Sequence, residues 1–143
     1  MSEIKKSDIF VDTAGWGCLI DKHQPFHQLA TQIYFEVKQQ HGQFITTNYV
    51  ITELVALCIS RLNISRSTSL EFISSIKSTS HIQVIHLDKS LDELAWQLLL
   101  NRTDKNWSLV DCSSFIVMQQ HKLIKSLTTD HHFEQAGFIQ LLK

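Results

Sequence analysis

Short apolar runs rich in Ile, Val and Phe recur along the chain at residues 9–11, 44–46, 83–87, 123–127 and 138–141, and they read as strands. Between them, apolar residues return every three or four positions, the period of a helix with one buried face. The spacing predicts helices over 13–20, 25–40, 47–62, 65–78, 88–102 and 108–120. Pro25 stands where a first helical turn tolerates a residue without an N–H, and His41-Gly42 closes that helix. In the third helix Val50, Leu54, Leu57 and Cys58 share one side; in the fourth Leu70, Ile73 and Ile76 do so; in the fifth, Leu91, Leu94, Ala95, Leu98 and Leu99. Strands alternating with helices predict an α/β fold around a largely parallel sheet. Sheets of that kind form binding sites at the carboxyl ends of their strands.

Two of the strands end on an acid. "DIFVDTAGW" carries a strand into Asp12, and "SLTTDHHFEQAGF" carries another into Asp130. Either Asp could cap the helical turn that follows it. They could also be two walls of one acidic site on the same rim of the sheet. Glu53, in "TNYVITELVAL", has Tyr49, Val50, Ala56 and Leu57 three and four positions away, so a partly buried carboxylate is expected there. Asp111, in "WSLVDCSSF", pairs with Ser108 as a capping box would, yet its own face continues into Ser114, Phe115 and Met118. Asp104 belongs either to the edge of such a site or to a solvated loop beside Arg102 and Lys105. Carboxylates gathered without a cation repel one another; with one or two divalent ions they can orient a water and stabilise charge on a phosphate.

Composition narrows the function. The 143 residues are 43% hydrophobic, with one Pro and four Gly, which fits a single domain over 1–143 without a flexible linker. No apolar run approaches a membrane span, and the charged "MSEIKKSDIF" lacks the apolar core of a signal peptide, so a cytoplasmic protein is expected. Cys18, Cys58 and Cys112 are isolated, without zinc-ligand spacing, and read as reduced packing residues. The formal net charge of −1 argues against a simple polycation for nucleic acid, but setting four acids aside as a metal site turns the balance positive. No nucleophile elbow, P-loop or dinucleotide-binding glycine pattern competes with the acids.

The order "FVDT", "TTNYVITEL", "DKNWSLVDCSSF", "SLTTDHHFEQAGF" resembles the PIN-domain family, in particular its VapC-type toxin ribonucleases, over essentially the whole chain. The resemblance implies a three-layer α/β/α fold with a central, mostly parallel five-stranded sheet. It implies a Mg²⁺- or Mn²⁺-dependent endoribonuclease that cleaves RNA phosphodiester bonds with a metal-activated water. By motif, Asp12, Glu53, Asp111 and Asp130 take the catalytic and metal-binding positions. Thr13, Asp104, Ser113 and Thr129 stand where supporting polar or edge groups would. Lys22, Arg61, Arg102, Lys105, His131 and His132 are candidates for contact with RNA. The implied partners are single-stranded or structured RNA, an antitoxin that inserts an Arg or Lys among the carboxylates with an apolar segment near the second to fourth helices, and a second copy of the chain in a homodimer.

Three alternatives stay open from the residues themselves: an RNA-processing nuclease without toxic role, a non-catalytic interaction module on the same fold, and a phosphoacceptor domain of the response-regulator type. The last needs a lysine at the carboxyl end of a late strand, and Lys125 falls inside its strand.

Overall fold

The computed structural model describes residues 7–143. The charged residues 1–6, which entered the reading of the N-terminus, lie outside the described residues. Five parallel strands form one sheet in the order β3-β2-β1-β4-β5: β1 (Ile9–Val11), β2 (Phe44–Thr47), β3 (Ile82–Ile85), β4 (Lys125–Leu127) and β5 (Ile139–Gln140). Helices flank it: α1 (Thr13–Ile20), α2 (His27–Gln39), α3 (Asn48–Ser60), α4 (Arg66–Ser78), α5 (Lys89–Asn101), α6 (Leu109–Gln120) and the single turn α7 (His132–Gln135). The expected α/β architecture and five-stranded parallel sheet are both present.

β1 lies at the centre, and every residue of β1 and β2 is buried. That explains their unbroken apolar runs: a parallel strand covered on both faces has no solvent side to alternate with. Side-chain oxygens cap α1, α3, α4, α5 and α6, from Asp12, Thr47, Ser65, Asp88 and Ser108.

Where the boundaries differ from the pattern, a competing hydrogen bond decides. The strand expected over 83–87 stops at Ile85, because the Leu87 N–H turns to Asn48 Oδ1 at 2.9 Å, at the start of α3. The strand expected from residue 123 begins at Lys125. The Leu123 N–H still closes α6 onto the Met118 carbonyl at 2.8 Å, with Lys122 in the left-handed region at φ 56°. α2 starts at His27 rather than Pro25, since the His27 N–H closes a turn on the Gln24 carbonyl. At its far end His41, not Gly42, takes the left-handed conformation, at φ 59°.

The C-terminal hook is fixed by aromatic packing. The buried Phe133 ring meets Phe115 at 5.0 Å and Phe10 at 6.2 Å, and Phe138 meets Phe115 at 5.8 Å. Phe133 and Phe138 thus anchor the turn as expected. Trp107 adds a tie from the loop before α6, packing edge-on to Phe115 and donating from Nε1 to Gln135 Oε1 at 3.0 Å. Cys18, Cys58 and Cys112 are buried and free. Among the described residues no helix is long and apolar enough to cross a membrane.

Gly15 sets how closely α1 crosses the sheet. A Cβ there would overlap the Leu127 carbonyl oxygen at the end of β4, and both are main-chain features that cannot swing aside. Gly15→Ala is expected to destabilise the fold by about 3 kcal/mol or more, against the few tenths gained from better helix propensity. Chemical denaturation of wild type and variant measures the difference.

Candidate active site

β1 and β4 are neighbours, with Val11 opposite Leu127. The residues that follow, Asp12 and Thr128, therefore leave the sheet side by side. Thr128 Oγ1 donates to Asp12 Oδ2 at 2.7 Å and accepts from the Asp130 N–H at 2.9 Å. Asp12 Oδ1 accepts from the Gly15 N–H at 2.9 Å and so caps α1. Capping uses only one of the two oxygens: Oδ1 serves the helix and Oδ2 accepts from Thr128.

Asp12 is 7% exposed, and burial pushes its carboxyl up from 3.8 to about 7. The hydrogen bonds from Thr128 and Gly15 pull the other way, while the charges of Asp130 and Asp111 raise it further. Three acids from distant parts of the sequence thus feel one another at one rim.

Asp111 forms the expected capping box. Its Oδ2 accepts from the Ser108 N–H, and its own N–H donates to Ser108 Oγ, both at 3.0 Å. The same Oδ2 lies 3.0 Å from His132 Nδ1. That ring nitrogen is also 3.3 Å from Asp130 Oδ1, which accepts the His132 N–H at 2.9 Å. His132, half-buried, bridges two of the acids, a place the sequence did not reveal because it depends on the tight turn of α7. His131 beside it is open to solvent, with Nδ1 3.9 Å from Asp130 Oδ1.

Other candidates fall differently. Glu53 is exposed, not partly buried as expected. The buried stripe of α3 is Val50, Leu54 and Cys58, and Glu53 stands on its flank, where only Val50 of its four close neighbours is fully buried. Thr129 is also exposed, and the supporting hydroxyl is that of Thr128. The chain bends at Thr129 just past β4, and the Asp130 N–H bonds back to the Thr128 hydroxyl two positions earlier, a turn that Thr residues favour. Ser113 is buried and turned back to its own helix, donating to the Val110 carbonyl at 2.7 Å. Thr13 is buried, and its Oγ1 has no hydrogen-bond partner.

Among the basic candidates, Arg102 is already engaged. It donates to both oxygens of Asp104, at 2.9 and 3.0 Å, and lies 4.8 Å from the centre of the Trp107 ring. Those hydrogen bonds hold the exposed Asp104 carboxyl below its ordinary range. Asp104 is therefore a loop residue rather than an edge of the acidic group. Lys105 is half-buried in the same loop, and Lys22 is exposed after α1. Arg61, exposed after α3, lines a cavity that reaches Thr129.

Asp130, His131 and His132 bring ligand atoms within 4.8 Å of one another, and the buried Asp12 carboxylate and the unpartnered Thr13 hydroxyl lie at the same rim, so the donors are carboxylate oxygens with imidazole nitrogens beside them, a mixture that a divalent cation accepts.

No protein-family model matches the chain. The chain is 26% identical over 133 residues to the 23S rRNA-specific endonuclease VapC20 of Mycobacterium tuberculosis, covering 93% of this chain and 97% of that protein. The crystal structure of VapC20, described as a sarcin-ricin loop cleaving toxin, superposes with a TM-score of 0.84 at 25% identity, over 95% of this chain and all of that one. This chain is similar to a ribosomal-RNA endonuclease throughout its fold.

Thr128→Val keeps the shape of the side chain and removes its donor to Asp12 and its acceptor for Asp130. It is expected to destabilise the protein by about 1–3 kcal/mol. Because the lost hydrogen bond lowers the Asp12 pKa, the variant's carboxyl should titrate above that of wild type. Carbon-detected NMR titration of the Asp12 carboxyl reads that shift directly.

Proposed function

We propose that the chain is an endoribonuclease of the PIN-domain, VapC type, acting as the toxin of a toxin–antitoxin pair. The observation that carries this is the convergence of Asp12, Asp111 and Asp130 at the rim next to the central strand, in a chain similar to VapC20 along nearly all its length. Asp12, Asp111 and Asp130 would hold Mg²⁺ or Mn²⁺. Glu53 is the fourth proposed ligand, one helical turn ahead of Leu57 and two ahead of Arg61 on the flank of α3 that meets the cavity beside Thr129. A bound divalent ion supplies Lewis-acid charge to the scissile phosphate and favours ionisation of an attacking water. The chain's own part is to hold the acids. Thr128 orients Asp12, the α6 capping box orients Asp111, and the His132 main chain orients Asp130. His131 and Lys22 stand in the open, where RNA backbone can reach them.

Asp12→Asn tests the reading. It keeps the cap on α1 while removing the charge. RNA cleavage in Mn²⁺, on single-stranded RNA and on a structured ribosomal hairpin, is expected to fall by about a hundredfold or more. Retained activity would remove Asp12 from the chemistry. The same variant carries a stability signature. The folded-state pKa of Asp12 is raised, so without divalent ion its contribution is fully favourable below 3.8 and is lost as pH rises through about 7. At pH 8 in EDTA the Asn variant should therefore melt above wild type, the buried charge costing wild type on the order of a few kcal/mol. Added Mn²⁺ should raise the wild-type melting temperature and leave the variant's unchanged.

The partners follow the same reading. A cavity of about 340 Å³ lined by Trp16, Leu19, Tyr34, Phe72, Ile76 and Ile82 offers an apolar cleft between α1, α2 and α4 for an antitoxin segment. An Arg or Lys beside that segment would pair with the carboxylates. Pairing with a second copy is supported by Leu94, Trp96 and Leu100 on α5 and Leu70 on α4, all exposed. Light scattering at micromolar concentration should give twice the 16.5 kDa chain mass, and Trp96→Glu should return the monomer mass.

A further inference from the structure

Between α1 and the end of α3 lies a second cavity, of about 330 Å³, which none of the three acids lines. Its walls are Gly17, Cys18, Leu57 and Leu62, and Gln24, Arg61 and Thr129 bring polar groups to it. Two of the lining residues tie it to the acidic rim: Ala14, two positions after Asp12, and Thr129, between Thr128 and Asp130. The volume is at the small end of the range for organic ligands. We infer that this cavity is a subsite for one unstacked nucleobase of the RNA, next to the scissile phosphate, and that Gln24 reads the edge of that base. The inference rests on the ribonuclease reading.

Three features favour a base over another occupant. The walls are mainly apolar and built from small or aliphatic residues, Ala14, Gly17, Cys18, Leu57 and Leu62, so the face of an unstacked base can be buried against them. Cys18 contributes to them as a neutral thiol, because burial pushes it up to about 11. Arg61 is the cation at the rim, with no acid among the cavity's lining residues, so it is placed for the phosphate attached to the base. Gln24 is held in one orientation, since its Nε2 donates to Asp21 Oδ2 at 2.9 Å. That leaves the carbonyl oxygen Oε1 as the acceptor the amide offers.

An acceptor in that position prefers a base with an exocyclic amine. In uracil the only edge N–H lies between two carbonyl oxygens, which oppose a third. Cytosine, of the same size, presents an amine instead.

Gly17 forms the floor. A Cβ there would lie 3.3 Å from Leu57 Cδ2 and 3.8 Å from Leu62 Cδ1, so it would take up space inside the cavity without meeting main chain. Its neighbour in the motif, Gly15, is glycine for a different reason, the close crossing over β4.

The test uses the whole chain, cytidine and uridine hexaribonucleotides, and fluorescence anisotropy in Ca²⁺, with RNA integrity checked after each titration. Wild type is expected to bind the cytidine hexamer at least about fivefold more tightly than the uridine hexamer, the discrimination one hydrogen bond supplies. Gln24→Ala should bring that ratio to near one. Gly17→Ala should weaken both hexamers several-fold while keeping a cooperative melting transition, because the new Cβ presses on the Leu57 side chain and not on main chain. Arg61→Gln should weaken both hexamers equally. Equal affinity of wild type for the two hexamers, or a preference that survives in Gln24→Ala, overturns the base subsite and leaves the ribonuclease reading standing. If wild type neither binds nor cleaves any RNA offered, that reading falls and the subsite with it.

Discussion

A carboxylate buried at the end of the central strand is the constraint around which the rest of the molecule is arranged. Asp12 sits at the end of β1, a central strand whose residues are all buried, so its charge meets little water. A buried acid of this kind must be hydrogen-bonded, be protonated or meet a cation. The structure supplies the first from two directions, Thr128 on the adjacent strand and the first turn of α1. It then aggravates the charge by placing Asp111 and Asp130 nearby. Such an arrangement is unfavourable for the bare protein and favourable for one that binds a positive group, and that asymmetry is what the proposed metal site rests on.

Stability and site are carried by the same atoms elsewhere too. Asp111 caps α6 and meets His132 through one oxygen. Asp130 donates its main-chain N–H to Thr128 and accepts the His132 N–H with its carboxylate. Beneath them the Phe10, Phe115 and Phe133 cluster joins β1, α6 and α7, the elements that hold or border the three acids. Packing in the core therefore fixes the spacing of charges at the rim.

Much of this was legible in the residues. The apolar runs located all five strands and the spacing located the six longer helices, because a parallel α/β layer imposes strong, separate periods on each. The acids Asp12, Asp111 and Asp130 were legible because strand ends and helix starts are marked by their own residue types. Glu53 shows the limit. Apolar neighbours at helical spacing say that a face is near the core, not that each residue on it is covered, and α3 turns Glu53 to the flank of its buried stripe. Thr129 and Thr128 show another limit: two identical neighbours differ in which one the bend past β4 turns inward. His132 was beyond reach for a third reason, since its place between two acids depends on a single helical turn and the aromatic packing under it.

The hydrogen bond from Thr128 to Asp12 spans 116 positions of sequence. During synthesis β1 emerges first and can pair with β2 soon afterwards, but its other edge waits for β4. Until then the central strand has an open side, and Asp12 has neither its threonine nor its two acidic neighbours. Closure of long-range parallel pairs is a slow step in folding. An incomplete chain therefore has no assembled rim, and the three acids come together only when the two halves of the sheet have met.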